Sequence, residues 1–199
     1  MSRASLPMYD LPEVAAATDA WWRGLACAFA REGIADPPAA LTRLGDHRLL
    51  WRAGDLLFTQ TCGYPLTHAF ADAFALVATP CYASPDCEGP RYRSLIVTRA
   101  EQGGMEIADL RGLRLAVNGH DSHSGANALR ALVAPLAAGQ RFFANVLETG
   151  GHLASLAAVT EGSADVCAVD CVTFALLARY RPAALATLRV FARTPLAPG

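Results

Sequence analysis

Lysine is absent: all 17 basic residues of this 199-residue chain are arginine. That excludes Schiff-base chemistry and the phosphate-gripping lysine of a P-loop. It leaves guanidinium as the only fixed side-chain cation that a ligand can meet. Charge is sparse as well, at 18% of residues and a net −1, with the arginines scattered and no basic run. No electrostatic footprint for nucleic acid or for an anionic membrane surface results, so neither partner is expected. Long apolar runs are missing too: 53% of residues are apolar, but Arg, Asp, Glu or Gly interrupts each run before it reaches about eighteen residues. Direct membrane insertion is therefore not expected. The opening MSRASLPMYDLPE has no basic segment followed by an apolar core and a small-residue cleavage site. With no secretory signal visible, the chain reads as cytoplasmic.

Six cysteines are present, and Cys27 and Cys167 sit in apolar runs where a thiol serves as a small core residue. Cys81 and Cys87 bracket a proline-containing loop and are the candidate disulfide, although sequence does not fix connectivity.

Short apolar runs alternate with helical patterns, the mark of an α/β fold. The first half predicts strands at 4–8, 55–60 and 75–79 and helices at 11–31 and 67–74, with Pro12 in a first turn and Gly33 past a helix end. A loop at 80–90 leads into a β-branched strand at 92–99. After the polar link AEQGGMEIADLRG a new sheet is expected: strands at 113–118, 142–148 and 164–169, helices at 124–136, 151–161 and 173–180. Leu129, Leu132, Val133 and Leu136 follow the i, i+3, i+4, i+7 spacing of one helical face. A last strand at 188–194 returns toward the first lobe. The expected organisation is a first α/β lobe over 1–97, a second over 98–187, and a return crossover over 188–199 whose brevity leaves the first lobe incomplete.

The segment AVNGHDSHSGANALRAL carries the strongest chemical signal. A buried strand ends in a polar loop that opens a helix, with Ser122 or Ser124 at the cap. First-turn N–H groups lack intrahelical partners and the helix dipole adds partial positive charge, so the junction suits an anion, with the serines and His123 as supplementary contacts. Serine is also an ordinary cap residue. ETGGHLAS places His152 near a helix start, and AVDCVT places Asp170 at a strand's carboxyl end, where open α/β sheets bind ligands. There Asp170 either accepts a hydrogen bond from a ligand or caps the next helix.

LRGLRLAVNGHDSHSG followed by ETGGHLASLAAVTEGSADVCAVDCVT resembles the phosphonate-type substrate-binding proteins of ABC transporters, and TQTCGYPL and GPRYRSLIV fit the same pattern. The resemblance implies a type II periplasmic-binding-protein-like fold: two lobes, each a mixed sheet flanked by helices, with the ligand in the cleft between them. It implies oxyanion binding by Ser122, His123 and Ser124, further ligand contacts from His152 and Asp170, and wall residues Tyr64 and Tyr92. It also implies a membrane transporter component as partner, a periplasmic location, no cofactor and no catalysis. A cytoplasmic ligand sensor of the same fold is the alternative. His123 in the middle of the Ser-x-Ser turn can change charge near neutral pH, so the oxyanion preference is expected to differ from that of its relatives.

Two other chemistries use the same residues. His120, Asp121, His123, His152 and Asp170 offer ligands suited to zinc or iron, but nothing in their spacing fixes a converging geometry. The run Ser122 to Ala126 faintly matches a hydrolase nucleophile elbow. That fold places the triad histidine after the acid, whereas no histidine follows Asp170. Cys62 or Cys171 as a nucleophile would need a nearby histidine and a lowered pKa.

Overall fold

A computed structural model describes residues 2–43, 45–103 and 105–198. The chain divides into two compact units, Met1–Thr61 and Cys62–Gly199.

In the first unit β1 (Arg3–Ser5) pairs in parallel with β2 (Leu56–Thr59), and the long helix α1 (Ala15–Arg31) lies between them in sequence. Proline fits the single 3-10 turn Pro12–Val14 that leads into α1, because a first-turn N–H has no partner to lose. Trp22, Leu25, Ala26 and Phe29 form one helical stripe that packs with Ala4, Leu6 and Phe58. Trp22 stacks on Phe58 at 6.1 Å, meets Phe29 edge-on, and donates its indole N–H to the Pro38 carbonyl at 2.9 Å. Cys27 falls outside that stripe and is exposed, contrary to the core position expected for it. A short helix α2 (His47–Trp51) is capped by Asp46, which accepts from the Arg48 N–H.

The second unit is built on a five-stranded mixed sheet. Its strands are β5 (Ser94–Arg99), β6 (Arg114–Val117), β7 (Asn145–Glu148), β8 (Val166–Asp170) and β9 (Leu188–Arg193), in the order β7-β6-β8-β5-β9. The β6 strand is parallel to both β7 and β8, as expected where α4 (Ala128–Ala137) and α5 (His152–Thr160) make the crossovers, while β5 runs antiparallel to β8 and β9. Every residue of β8 is buried, which explains its unbroken apolar VCAV run. Ile96, Leu110, Leu115, Val117, Leu129, Val133 and Val166 form the core. Where β6 and β8 begin, Asp165 accepts from the Arg114 side chain at 2.7 and 2.9 Å and from the Arg114 backbone N–H, and these bonds hold its carboxyl down at about 2.

A second, three-stranded sheet fixes the segment before β5: β3 (Cys87–Glu88) and β10 (Ala197–Pro198) flank β4 (Arg91–Tyr92) on either side. Its register sets Cys87 and Ala197 opposite Tyr92.

Two expectations fail between residues 62 and 80. The helix here, α3 (Gly63–Thr67), starts and ends earlier than the one predicted at 67–74. Pro65 presets the dihedral of its first turn, and the Thr67 hydroxyl and His68 ring bond back to the Gly63 and Tyr64 carbonyls of the same turn. The predicted strand at 75–79 does not form: the run has no pairing strand, and Leu76 and Val77 are 69% and 72% exposed. A five-residue apolar run does not make a strand without a neighbour to satisfy its backbone. The candidate disulfide between Cys81 and Cys87 is likewise not formed, and the Cys87 sulfur lies instead 3.4 Å from that of Cys171.

Candidate functional site

The loop after β6 turns into α4 through five residues, His123–Asn127, wound as a wide π-type turn rather than the ordinary helix start expected from the sequence. The cause lies in Asn127. Its backbone N–H reaches five residues back to the Ser122 carbonyl at 3.0 Å, and its side-chain amide donates to the same oxygen at 2.9 Å and to the His120 carbonyl at 3.3 Å. Ser122 caps the turn, its Oγ accepting from the Gly125 N–H at 3.1 Å. Both Ser122 and Ser124 are buried. A widened first turn sets N–H groups and serine hydroxyls on a broader arc than a tight helix start does, and such turns concentrate at functional positions.

Gly125 is required by spacing rather than by dihedral: a β-carbon there would stand 1.8 Å from Asn118 Oδ1, 2.7 Å from Asn118 Cγ and 3.1 Å from His152 Cε1. The backbone of the turn thus lies directly against the side chains at the end of β6 and the start of α5.

His152 is the first residue of α5, and Asp170 ends β8 and caps α6 (Cys171–Tyr180) by accepting from the Thr173 N–H at 2.7 Å. Of the two roles anticipated for Asp170 the helix cap is present, and its other oxygen lies 3.2 Å from His152 Nε2. The same Nε2 is 3.0 Å from Ser124 Oγ. Burial lowers the His152 pKa, partly opposed by the Asp170 charge. Tyr92 comes up to Ser124 from the small sheet, and its ring meets the His123 ring edge-on at 6.0 Å. Burial, reinforced by the Asp170 charge, pushes the Tyr92 phenol above its ordinary pKa, so it stays a neutral O–H donor. His123 is lowered by burial.

Tyr64 belongs to α3, which packs against the wide turn, and its half-buried ring stacks on His68 at 3.9 Å. At the head of α3 the Cys62 sulfur is engaged by the His123 and Tyr64 backbones, while burial pushes its thiol pKa up. Ser122, His123, Ser124, His152, Asp170 and Tyr92 therefore stand in one cluster, with the segment bearing Tyr64 beside it. Sequence reasoning passed over Asn118 and Asn127, weighed Cys62 only as a nucleophile, and gave Gly125 no packing role. Gly125 alone left a signal, as a glycine inside an alanine-rich helix start where alanine would be the better helix former.

Ser124, His152 and Asp170 form a row that contains the residue types of a hydrolase triad but not its geometry. A triad histidine faces its acid through one ring nitrogen and its serine through the other. Here both contacts fall on Nε2, and one nitrogen cannot donate to the carboxylate while it accepts the serine proton. As for metals, no group of three or more His, Cys, Asp or Glu among the described residues is placed to hold one, and His120 instead lies 3.6 Å from Glu148.

Two half-buried imidazoles, His123 and His152, make stability depend on pH with a definite sign. Both fold with pKa values below the ordinary 6.5, so below that pH the unfolded chain binds more protons than the folded one. Their contribution is complete above about pH 6.5 and is lost progressively as pH falls from there through their lowered folded pKa values. A thermal melt series from pH 8 to 5 is expected to show Tm flat above neutrality and falling below it, with a shallower fall in His152→Asn. A Tm that holds or rises toward pH 5 would contradict the burial assigned to these rings.

Residues 48–199 match the family model described as ABC transporter, phosphonate, periplasmic substrate-binding protein. The chain is similar in fold to PA3383 of Pseudomonas aeruginosa, a binding protein component of an ABC phosphonate transporter, with TM-score 0.68 and 15% identity over 100% of this chain and 66% of that one. PhnD1 from Prochlorococcus marinus (MIT 9301), in complex with methylphosphonate, has TM-score 0.68 and 15% identity over 99% of this chain and 73% of that one. XAC2383 from Xanthomonas citri, bound to chloride ion, has TM-score 0.65 and 18% identity over 99% and 74%. The fold is that of the two-lobed α/β periplasmic binding proteins, and the chain spans 66% of the length of the P. aeruginosa protein. No curated protein matches the chain. No helix among the described residues is long and apolar enough to cross a membrane.

Proposed function

Because this chain belongs to the family of phosphonate periplasmic substrate-binding proteins of ABC transporters, we propose that it captures a small tetrahedral oxyanion of the phosphonate and phosphate class and presents it to a membrane transporter. The observation that carries the reading is the wide turn at His123–Asn127, where a serine cap, a second buried serine and the first backbone N–H groups of a helix converge. In a chain without lysine, backbone and hydroxyl donors of this kind take the place of a fixed ammonium charge.

In this reading Ser122, His123 and Ser124 hold the oxyanion. Asp170 fixes His152, and His152 in turn orients the Ser124 hydroxyl toward the ligand. Tyr92, kept protonated, donates from the side, and Tyr64 walls the site. Tetrahedral anions share these donors, so the substituent on phosphorus is selected by Tyr64 and Tyr92 rather than by the turn. Lobes over 1–97 and 98–187 close on the ligand about the crossovers at 92–99 and 188–194. Antiparallel pairing of β5 with β9 supports a common hinge at those segments. A ligand shifts that equilibrium only by its differential affinity for the closed form.

The test is a thermal-shift panel of phosphate, phosphite, methylphosphonate, 2-aminoethylphosphonate, alkylsulfonates, amino acids and divalent metals. A selective rise in Tm with a phosphorus oxyanion is expected, about 3 kcal/mol of linkage at a hundredfold excess over Kd. A rise confined to amino acids or to metals would refute the proposal.

A further inference from the structure

We propose that Cys87 and Cys171 are a dithiol–disulfide couple which, once oxidised, ties the hairpin that carries Tyr92 to the strand end that carries Asp170. The two sulfurs lie 3.4 Å apart although 84 positions separate them in the chain. Cys87 stands directly opposite Tyr92 in the β3–β4 register, and Cys171 directly follows Asp170 as the first residue of α6.

The backbones that carry the two cysteines are already fastened to each other. The Cys171 N–H donates to the Arg93 carbonyl at 3.1 Å, the Arg93 N–H donates to the Asp86 carbonyl at 3.2 Å, and Arg193 pairs with the Asp86 carboxylate at 2.9 Å. The Ser84 hydroxyl adds a contact to the Cys171 carbonyl at 3.4 Å. Bond formation at about 2.05 Å then asks for side-chain rotation more than for backbone movement. Neither sulfur is needed for the oxyanion contacts, so the couple stands independently of the proposed ligand.

The oxidant is a small disulfide such as oxidised glutathione. Cys87 is half-buried and Cys171 is buried, so Cys87 reacts first. Its thiolate attacks the reagent's disulfide, one glutathione thiolate leaves and takes a proton, and a mixed disulfide remains on Cys87. The Cys171 thiolate then attacks the Cys87 sulfur and expels the second glutathione. Two protein thiols lose two electrons, and one reagent disulfide becomes two thiols. Burial, together with the Cys87 neighbour, pushes the Cys171 thiol up to about 12, so its attack quickens as pH rises. Closing so long a loop constrains the unfolded chain strongly.

The experiment treats the reduced full chain with oxidised glutathione at pH 8, quenches it with acid and cleaves it on the amino side of aspartate. Cys87 and Cys171 then fall in separate peptides beginning at Asp86 and Asp170, apart from Cys81 and Cys167. The expected result is one linked pair of these peptides, lighter by two hydrogens than their sum and separated by dithiothreitol, with Tm raised by about 5–15 °C in the oxidised protein. Cys81→Ser behaves like the parent, whereas Cys171→Ser retains glutathione on Cys87. Cys87 recovered joined to Cys81, or as a lasting glutathione adduct in the parent chain, would overturn the proposal. So would a linked pair without a rise in Tm.

Discussion

Gly125→Ala is expected to lower Tm by about 3–12 °C and to weaken oxyanion binding at least tenfold. The added methyl group would occupy space held by Asn118 Oδ1, 1.8 Å away, and Cγ, 2.7 Å away. Asn118 is short and directly follows β6, so it cannot yield by bending a distant tip. Either its amide rotates into the neighbouring His152 ring or the wide turn lifts from the strand. Overpacking of this kind costs about 1–3 kcal/mol, which for a chain of this size corresponds to a few degrees of Tm per kcal/mol. Affinity suffers more than stability because the displaced backbone is the part that donates to the ligand. Melting curves and ligand titration of the variant check both halves, and an unchanged melt would show that the turn does not pack against Asn118 as described.

Asp170→Ala is expected to destabilise by about 2–4 kcal/mol, from the lost helix cap and from the hydrogen bond to His152 left unmade. His152 loses its carboxylate, and the Thr173 N–H loses its cap. Asp170→Asn separates these losses. Asparagine caps about as well as aspartate, so this variant retains the helix start and forfeits only the charge, and its destabilisation is expected to be well below that of alanine. Denaturant titration of both variants distinguishes the two. Equal losses would mean that the charge on Asp170 carries the whole effect and the cap none.

The buried centre of the second unit was legible because period and composition agree there. RLAV in β6 read as a strand buried on both faces and VCAV in β8 as a strand, and Leu129, Leu132 and Val133 declared the face of α4, although Leu136, expected on the same face, is 39% exposed. Asp170 and His152 were placed at a strand end and a helix start by local pattern alone, the one by the apolar run before it and the other by the two glycines before it. What stayed hidden depended on contacts across the chain. The ALVAT run at 75–79 has strand composition but no strand beside it, and no local pattern reveals a missing partner. The wide turn at His123–Asn127 arises from Asn127 bonding back over five residues, where serine capping alone predicts an ordinary helix start. Gly125 is glycine because Asn118 and His152 crowd it, and the facing of Cys87 and Cys171 follows from the β3–β4 register together with the Cys171–Arg93 backbone bond, both of which are tertiary facts. The order argument against a hydrolase gained a geometric counterpart, since the residues do meet but through a single ring nitrogen.

The account stands on the wide turn as the oxyanion holder, and calorimetric titration of methylphosphonate and phosphate into the parent chain and into Ser122→Ala/Ser124→Ala tests it most directly. One saturable site in the parent is predicted, with affinity reduced about thirtyfold or more in the variant, from two lost hydrogen bonds of about 1 kcal/mol each and more where the ligand is charged. Equal affinity in parent and variant, or no binding of either anion to the parent, would contradict it.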